Sequence, residues 1–114
     1  MRKLLLFLLV LCSACSNGPQ ADAPAIGEAR SLAAEWALIN GQASEHKLTG
    51  TYVEAMRSSI RDELQTTAKS LTEPNSAYGA EIQAVMKLPD DAPPQELRSH
   101  AEKLKQIEDS LESA

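Results

Sequence analysis

Cysteine, aromatic residues and glycine are all scarce in this chain, and each scarcity removes a class of fold or chemistry. The two cysteines, Cys12 and Cys15, both stand near the amino terminus, and none follows. No disulfide framework can therefore hold the body of the chain, and no thiol nucleophile is available there. Of the four aromatic residues only Trp36, Tyr52 and Tyr78 lie beyond Phe7, so the core must be assembled from Leu, Ile, Val, Met and Ala. The five glycines are scattered and form no phosphate-cradling loop and no Gly-x-Ser-x-Gly elbow. No segment alternates apolar and polar residues over five positions, so no strand is expected. Basic charge is also short: 11 Lys and Arg stand against 16 Asp and Glu, a net charge of −5. That balance argues against nucleic acid and anionic surfaces as partners, since both attract basic patches.

The titratable residues offer little catalytic chemistry. His46 and His100 are too distant in sequence for a helical zinc pair, which places two histidines four apart beside a third ligand. Glu96 and His100 do share a helix face, but di-metal bundles repeat Glu-x-x-His at a spacing of three. The pair reads as solvated helix surface. Asp90-Asp91 lies between Pro89 and Pro93 and reads as turn chemistry. A glycosidase would need two carboxylates facing each other across a cleft. The expectation is a non-enzymatic protein with no catalytic residue, no metal and no cofactor.

What is present begins at the amino terminus. Arg2 and Lys3 precede an unbroken apolar run from Leu4 to Leu11, the pattern of a secretory signal. The run falls well short of the roughly 20 residues a transmembrane helix needs. It is followed by Leu11-Cys12-Ser13-Ala14-Cys15. Ser13 and Ala14, a small pair immediately before a cysteine, resemble the bacterial lipobox; Cys12 occupies the position where that family usually has Leu. The resemblance covers residues 1–16 and concerns processing. It implies cleavage after Ala14 and lipid attachment at Cys15, which would anchor the protein in a membrane without spanning it. It also implies sorting by the next residue. Ser16 lacks the acidic side chain associated with inner-membrane retention, so the implied address is the outer membrane, facing the periplasm. Loss of Arg2 and Lys3 with the signal would deepen the net charge from −5 to −7. One acyl chain binds a membrane only marginally, whereas the two or three of this class make detachment negligible.

Beyond Cys15 the chain divides into a linker and one domain. Residues 15–23 are expected to be a lipidated terminus and flexible linker, rich in turn residues and without periodicity. Its eight residues after Cys15, 16–23, span at most about 28 Å and about 15 Å as a coil. Residues 24–114 read as an all-α domain, a small bundle of three to four helices. Pro24 suits a first helical turn, and Ala29, Leu32, Ala33, Trp36, Ile39 and Ala43 make one buried stripe. Asn40-Gly41 could end or bend this helix, with Gly50 a firmer stop. Thr51 and Glu54 fit a capping box, followed by the stripe Val53, Met56, Ile60, Leu64, Ala68 and Leu71. Glu54, Arg57, Ser58, Arg61, Asp62, Gln65 and Lys69 are expected on the solvent face, with Pro74-Asn75 ending the helix. A shorter helix, capped by Asn75 or Ser76, carries Tyr78, Ile82, Val85 and Met86 and stops before Pro89. The last runs from about Pro93 with Leu97, Ala101, Leu104, Ile107 and Leu111 on one side. Burial of one such stripe returns less than the ordering of its helix costs, so the helices must pack together.

Function is framed by these features. The first expectation is an accessory lipoprotein that binds another protein. Alternatives are an inhibitor or immunity lipoprotein that neutralises a toxic enzyme, and a binder of a lipid or small apolar ligand between helices. Trp36 is a candidate interface anchor, although its place on the stripe reads as core. Leu97, Leu104 and Leu111 have coiled-coil spacing, interrupted by Glu108, which makes them candidates for self-association or a helical partner.

Overall fold

A computed structural model of the protein describes residues 18–113. The leader, Cys15 and Ser16 lie outside the described residues. All regular structure among the described residues is helical: α1 (Gly18–Ala21), α2 (Ala23–Ser44), α3 (Gly50–Lys69), α4 (Ala77–Met86) and α5 (Pro94–Glu112). The expected small all-α bundle is what the chain forms. Helix α2 is its axis, packing against all four of the others, whereas α3 and α5 do not touch each other.

Helices α3 and α5 both run antiparallel to α2. Asp22 meets Thr72 while Asn40 meets Arg57, which fixes α2 against α3. Arg30 meets Glu108 while Gly41 faces Pro94, which fixes α2 against α5. The bundle thus has two ends. One gathers the start of α2, the α3–α4 turn and the end of α5, and is called here the Asp22 end. The other gathers the end of α2 and the α4–α5 turn, and is called the Asp90 end.

The core follows the expected stripes. Ile26, Ala29, Leu32, Ala33, Trp36 and Ile39 of α2 are buried with Ile60 and Leu64 of α3, Tyr78, Ile82 and Val85 of α4, and Leu97 and Leu104 of α5. Met56, Ala43, Met86, Ile107 and Leu111 are half-buried at its margin. Gly79 has a packing role: a Cβ there would collide with the Pro74 carbonyl, so the first turn of α4 can close tightly on the preceding turn.

Helix boundaries differ from expectation at four places. Helix α1 begins at Gly18, so residues 18–23 of the expected linker are packed structure, with Asp22 buried. Helix α2 passes straight through Asn40-Gly41 and ends at Ser44. Its stop is His46, which takes the left-handed conformation (φ 58°) while His46 N–H donates to Ala43 and Lys47 N–H to Gln42. These two bonds satisfy the last carbonyls in the paired pattern that usually employs glycine. Gly50 begins α3 instead of stopping a helix. The cap is Thr49, whose hydroxyl accepts from Tyr52 N–H at 3.2 Å, so Thr51 and Glu54 form no capping box. Helix α3 ends at Lys69, ahead of Pro74. Ser76 caps α4 as expected, accepting from Gly79 N–H.

Candidate functional site

Each end of the bundle is closed by a polar side chain buried among apolar ones. At the Asp22 end the Asp22 carboxylate occupies the N-cap position of α2 but does not cap its own helix. It turns to the α3–α4 turn, accepting from Thr72 N–H at 2.8 Å, Glu73 N–H at 3.1 Å and the Tyr78 hydroxyl at 2.6 Å. The Thr72 hydroxyl donates back to the Gly18 carbonyl. Burial pushes the Asp22 carboxyl up, but the bonds from Thr72, Tyr78 and Glu73 outweigh it and hold the group below its ordinary 3.8. Burial and then the bond to Asp22 push the Tyr78 hydroxyl up to about 12. This is a clamp: it fixes the start of α2 to the α3–α4 turn.

At the Asp90 end the buried group is Asn40. Its amide nitrogen donates to the carbonyls of Asp90 (3.0 Å) and Ala92 (2.9 Å), and Trp36 Nε1 donates to the same Asp90 carbonyl at 3.0 Å. The α4–α5 turn is thereby pinned to α2. Arg61 completes the arrangement from α3. Its guanidinium donates to the Met86 and Leu88 carbonyls, which close the end of α4, and to the Asp90 carboxylate at 2.6 Å. It also lies over the Trp36 ring, 4.7 Å from the centroid, where the ring quadrupole attracts a cation.

Arg57, one turn earlier, is only partly engaged. Its Nε donates to Asn40 Oδ1 at 2.9 Å, and its terminal nitrogens have no partner among the described residues. Arg57, Arg61, Glu54, Ser58 and Asp90 line a polar groove of about 350 Å³. This groove is the candidate site. What it presents is a fixed guanidinium fork beside two carboxylates and a serine hydroxyl.

The residues singled out from the sequence fall elsewhere. Trp36, Leu97 and Leu104 are fully buried in the chain's own core, so none can contact a partner, and the seam of α5 is consumed by α2. Leu111 is half-buried and lines an open groove of about 430 Å³ with Ala77, Ile107 and Lys103 between α4 and α5. His100 does not remain with Glu96 as a solvated pair; its Nδ1 bonds Glu81 of α4. Asp90 acts in turn chemistry, as expected, through its carbonyl and carboxylate. Cys15 and Ser16 lie outside the described residues. Glu108, Asp109 and Glu112 bring carboxylate oxygens within 4.8 Å of one another, but Arg30 pairs with Glu108 and Lys105 with Asp109.

Arg57 and Arg61 were expected on the solvent face, and the structure turns both toward the turn and the groove. Asn40 carried a signal: it sits in the register of the buried α2 stripe, where an amide must find partners. Asp22 carried none, since nothing local distinguishes it from a linker aspartate. Among the described residues no helix is long and apolar enough to cross a membrane. No protein-family model, no curated protein and no solved structure matches this chain.

Proposed function

We propose that the protein is a lipoprotein anchored through Cys15, facing the periplasm from the outer membrane, that holds its Asp22 end near the bilayer and offers its Asp90 end to a protein partner. The observation that carries this reading is that packed helical structure is already in place at Gly18. Only Ser16 and Asn17 separate Cys15 from Gly18, a span of roughly 10 Å at most. Asp22 then locks the start of α2 onto the α3–α4 turn. An anchor at Cys15 thus acts on one end of a stiff bundle and not on a loosely strung domain. Along α2 the interval from Ala23 to Asn40 corresponds to about 25 Å of helix rise, which sets the arginine groove away from that anchor. The role is binding and not catalysis: the groove presents charged donors and acceptors without an activated nucleophile.

The test uses the full-length protein in cells, with a photo-cross-linking side chain at Thr51, an exposed residue on the groove side of α3, or at Asn75 at the opposite end. The expected result is membrane recovery that is lost in Cys15→Ser, with a discrete protein adduct from position 51 and none from position 75. Membrane recovery that survives Cys15→Ser would overturn the anchor. Adducts from position 75 alone would overturn the polarity.

A further inference from the structure

We infer that the Arg57 guanidinium and the Ser58 hydroxyl form a seat for a single carboxylate, supplied by an acidic side chain or a chain terminus of a protein partner. The protein source rests on the reading of the Asp90 end as the binding end; the seat itself rests on geometry alone.

Three observations lead there. First, Arg57 is held in place. Its Nε is bonded to Asn40 Oδ1, and Asn40 is 5% exposed and fixed by two backbone carbonyls. An ordinary surface arginine loses rotamer entropy whenever it grips an anion, and this one has given up much of it in advance. Second, its gripping edge is spare. With Nε engaged, the two terminal nitrogens still present parallel N–H groups, the geometry that matches a planar carboxylate. Ser58, the next residue and a lining residue of the same groove, makes no hydrogen bond among the described residues and supplies a further donor. Arg61 differs in this respect, because all three of its nitrogens are engaged.

Third, the groove's charges limit the valence of the guest. Asp90 is answered by Arg61, whereas Glu54 lines the groove without an ion pair to either arginine. Arg57 therefore works beside one uncompensated carboxylate. A monoanion leaves that balance tolerable. A phosphate or sulfate dianion would bring its second charge against Glu54 and Asp90. The seat thus selects a carboxylate over a phosphate by charge as well as by shape.

The experiment is a titration of the full-length protein in detergent micelles, following the arginine Nε–H signals by NMR. The probes are N-acetyl-glycyl-glycine, its C-terminal amide, N-acetyl-glutamate amide, and inorganic phosphate at matched ionic strength. The expected result is saturable movement of the Arg57 signal with the free-carboxylate probes and none with the glycyl-glycine amide. Relative strength of the terminal and side-chain probes then identifies the source. Arg57→Lys, which keeps the charge and loses the fork, should weaken binding about tenfold, read from neighbouring backbone amides. An unshifted Trp36 indole signal in that variant shows that the end of the bundle is intact. Equal movement with the amide or with phosphate overturns the seat, as does equal movement of Arg98. A Thr51 adduct without a carboxylate response overturns the seat but leaves the far-end reading standing. A carboxylate response with no protein adduct overturns the assignment to a protein partner.

Discussion

The two ends of the bundle solve the same problem with opposite chemistry. At the Asp22 end the buried group is an anion that gathers donors: two backbone N–H groups of a turn and one phenol. At the Asp90 end it is a neutral amide that gathers carbonyls and takes one guanidinium in return. Both arrangements pin an inter-helix turn to α2, and no buried side-chain nitrogen or oxygen among the described residues lacks a partner. The consequences differ. The Asp22 carboxylate consumes every donor it meets, so that end is closed. Asn40 uses one nitrogen of Arg57 and leaves the rest of the fork free, so the other end is fixed and still able to bind.

The largest test of this contrast removes the centre of each end. Trp36→Ala should cost about 3–5 kcal/mol, since it empties a fully buried site and removes one of the two donors to the Asp90 carbonyl. Asp22→Ala should cost about 3 kcal/mol, because the Thr72 and Glu73 N–H groups and the Tyr78 hydroxyl lose a charged acceptor. Denaturant unfolding measures both. Hydrogen exchange then sharpens the comparison: Asp22→Ala should expose the Thr72 and Glu73 amides and leave Ala92 protected, and Trp36→Ala should do the reverse. Equal loss of protection at both turns in either variant would mean that the ends are one cooperative unit and that the contrast between them has no energetic meaning.

The four longer helices, their buried stripes and the all-α class were legible in the sequence because they depend on periodicity, which is local; the short α1, lying in the expected linker, was not. Leu97, Ala101 and Leu104 announce a buried face without any knowledge of its partner, and all three are buried. What periodicity cannot supply is the identity of that partner. The α5 seam looked suited to another chain because nothing within α5 says that α2 already covers it. Polar residues were the harder case. The helical wheel put Arg57 and Arg61 on the outer face, and it is the α4–α5 turn, folding back over α3, that converts that face into a lined groove. Asp22 was assigned to a linker because its three partners lie some fifty residues away. The left-handed His46 is illegible for a different reason: glycine is the usual signal for that geometry, and here a histidine adopts it.

The second test uses pH, to which the two ends should respond unequally. The Asp22 carboxyl is held below 3.8 in the fold, so its contribution is fully present above that value and is lost as pH falls through the lower folded value. Tyr78 has the opposite sign. Its proton is retained to about 12 against an ordinary 10, so stability is full below pH 10 and declines between pH 10 and 12, by up to about 3 kcal/mol. The turn at the Asp90 end is pinned by the Asn40 amide, the Trp36 indole and backbone carbonyls, none of which is an ionisable group. Acid and alkaline unfolding should therefore begin at Thr72 and Tyr78. Tyr78→Phe should remove that residue's alkaline loss, at about 1 kcal/mol in neutral stability for the missing hydrogen bond. An acid limb unchanged by Asp22→Asn, once the neutral-pH loss is subtracted, would show that the carboxylate is not the group being protonated.

The smallest expected effect separates holding from binding at the Asp90 end itself. Arg57 donates one bond to Asn40, and lysine can replace that bond with its ammonium while giving up the fork. Arg57→Lys should therefore change stability by no more than about 0.5 kcal/mol, the range of an ordinary surface substitution. The same variant should lose most of its grip on a carboxylate, because a point charge cannot make two parallel bonds. Asn40→Ala is the counterpart. It takes the side-chain donor from the Ala92 carbonyl, leaves the Asp90 carbonyl with Trp36 alone and removes the support under Arg57, so stability and binding should fall together. A large loss of stability in Arg57→Lys would make Arg57 another clamp, equivalent to Tyr78 at the opposite end, and the two ends would then differ in chemistry without differing in purpose.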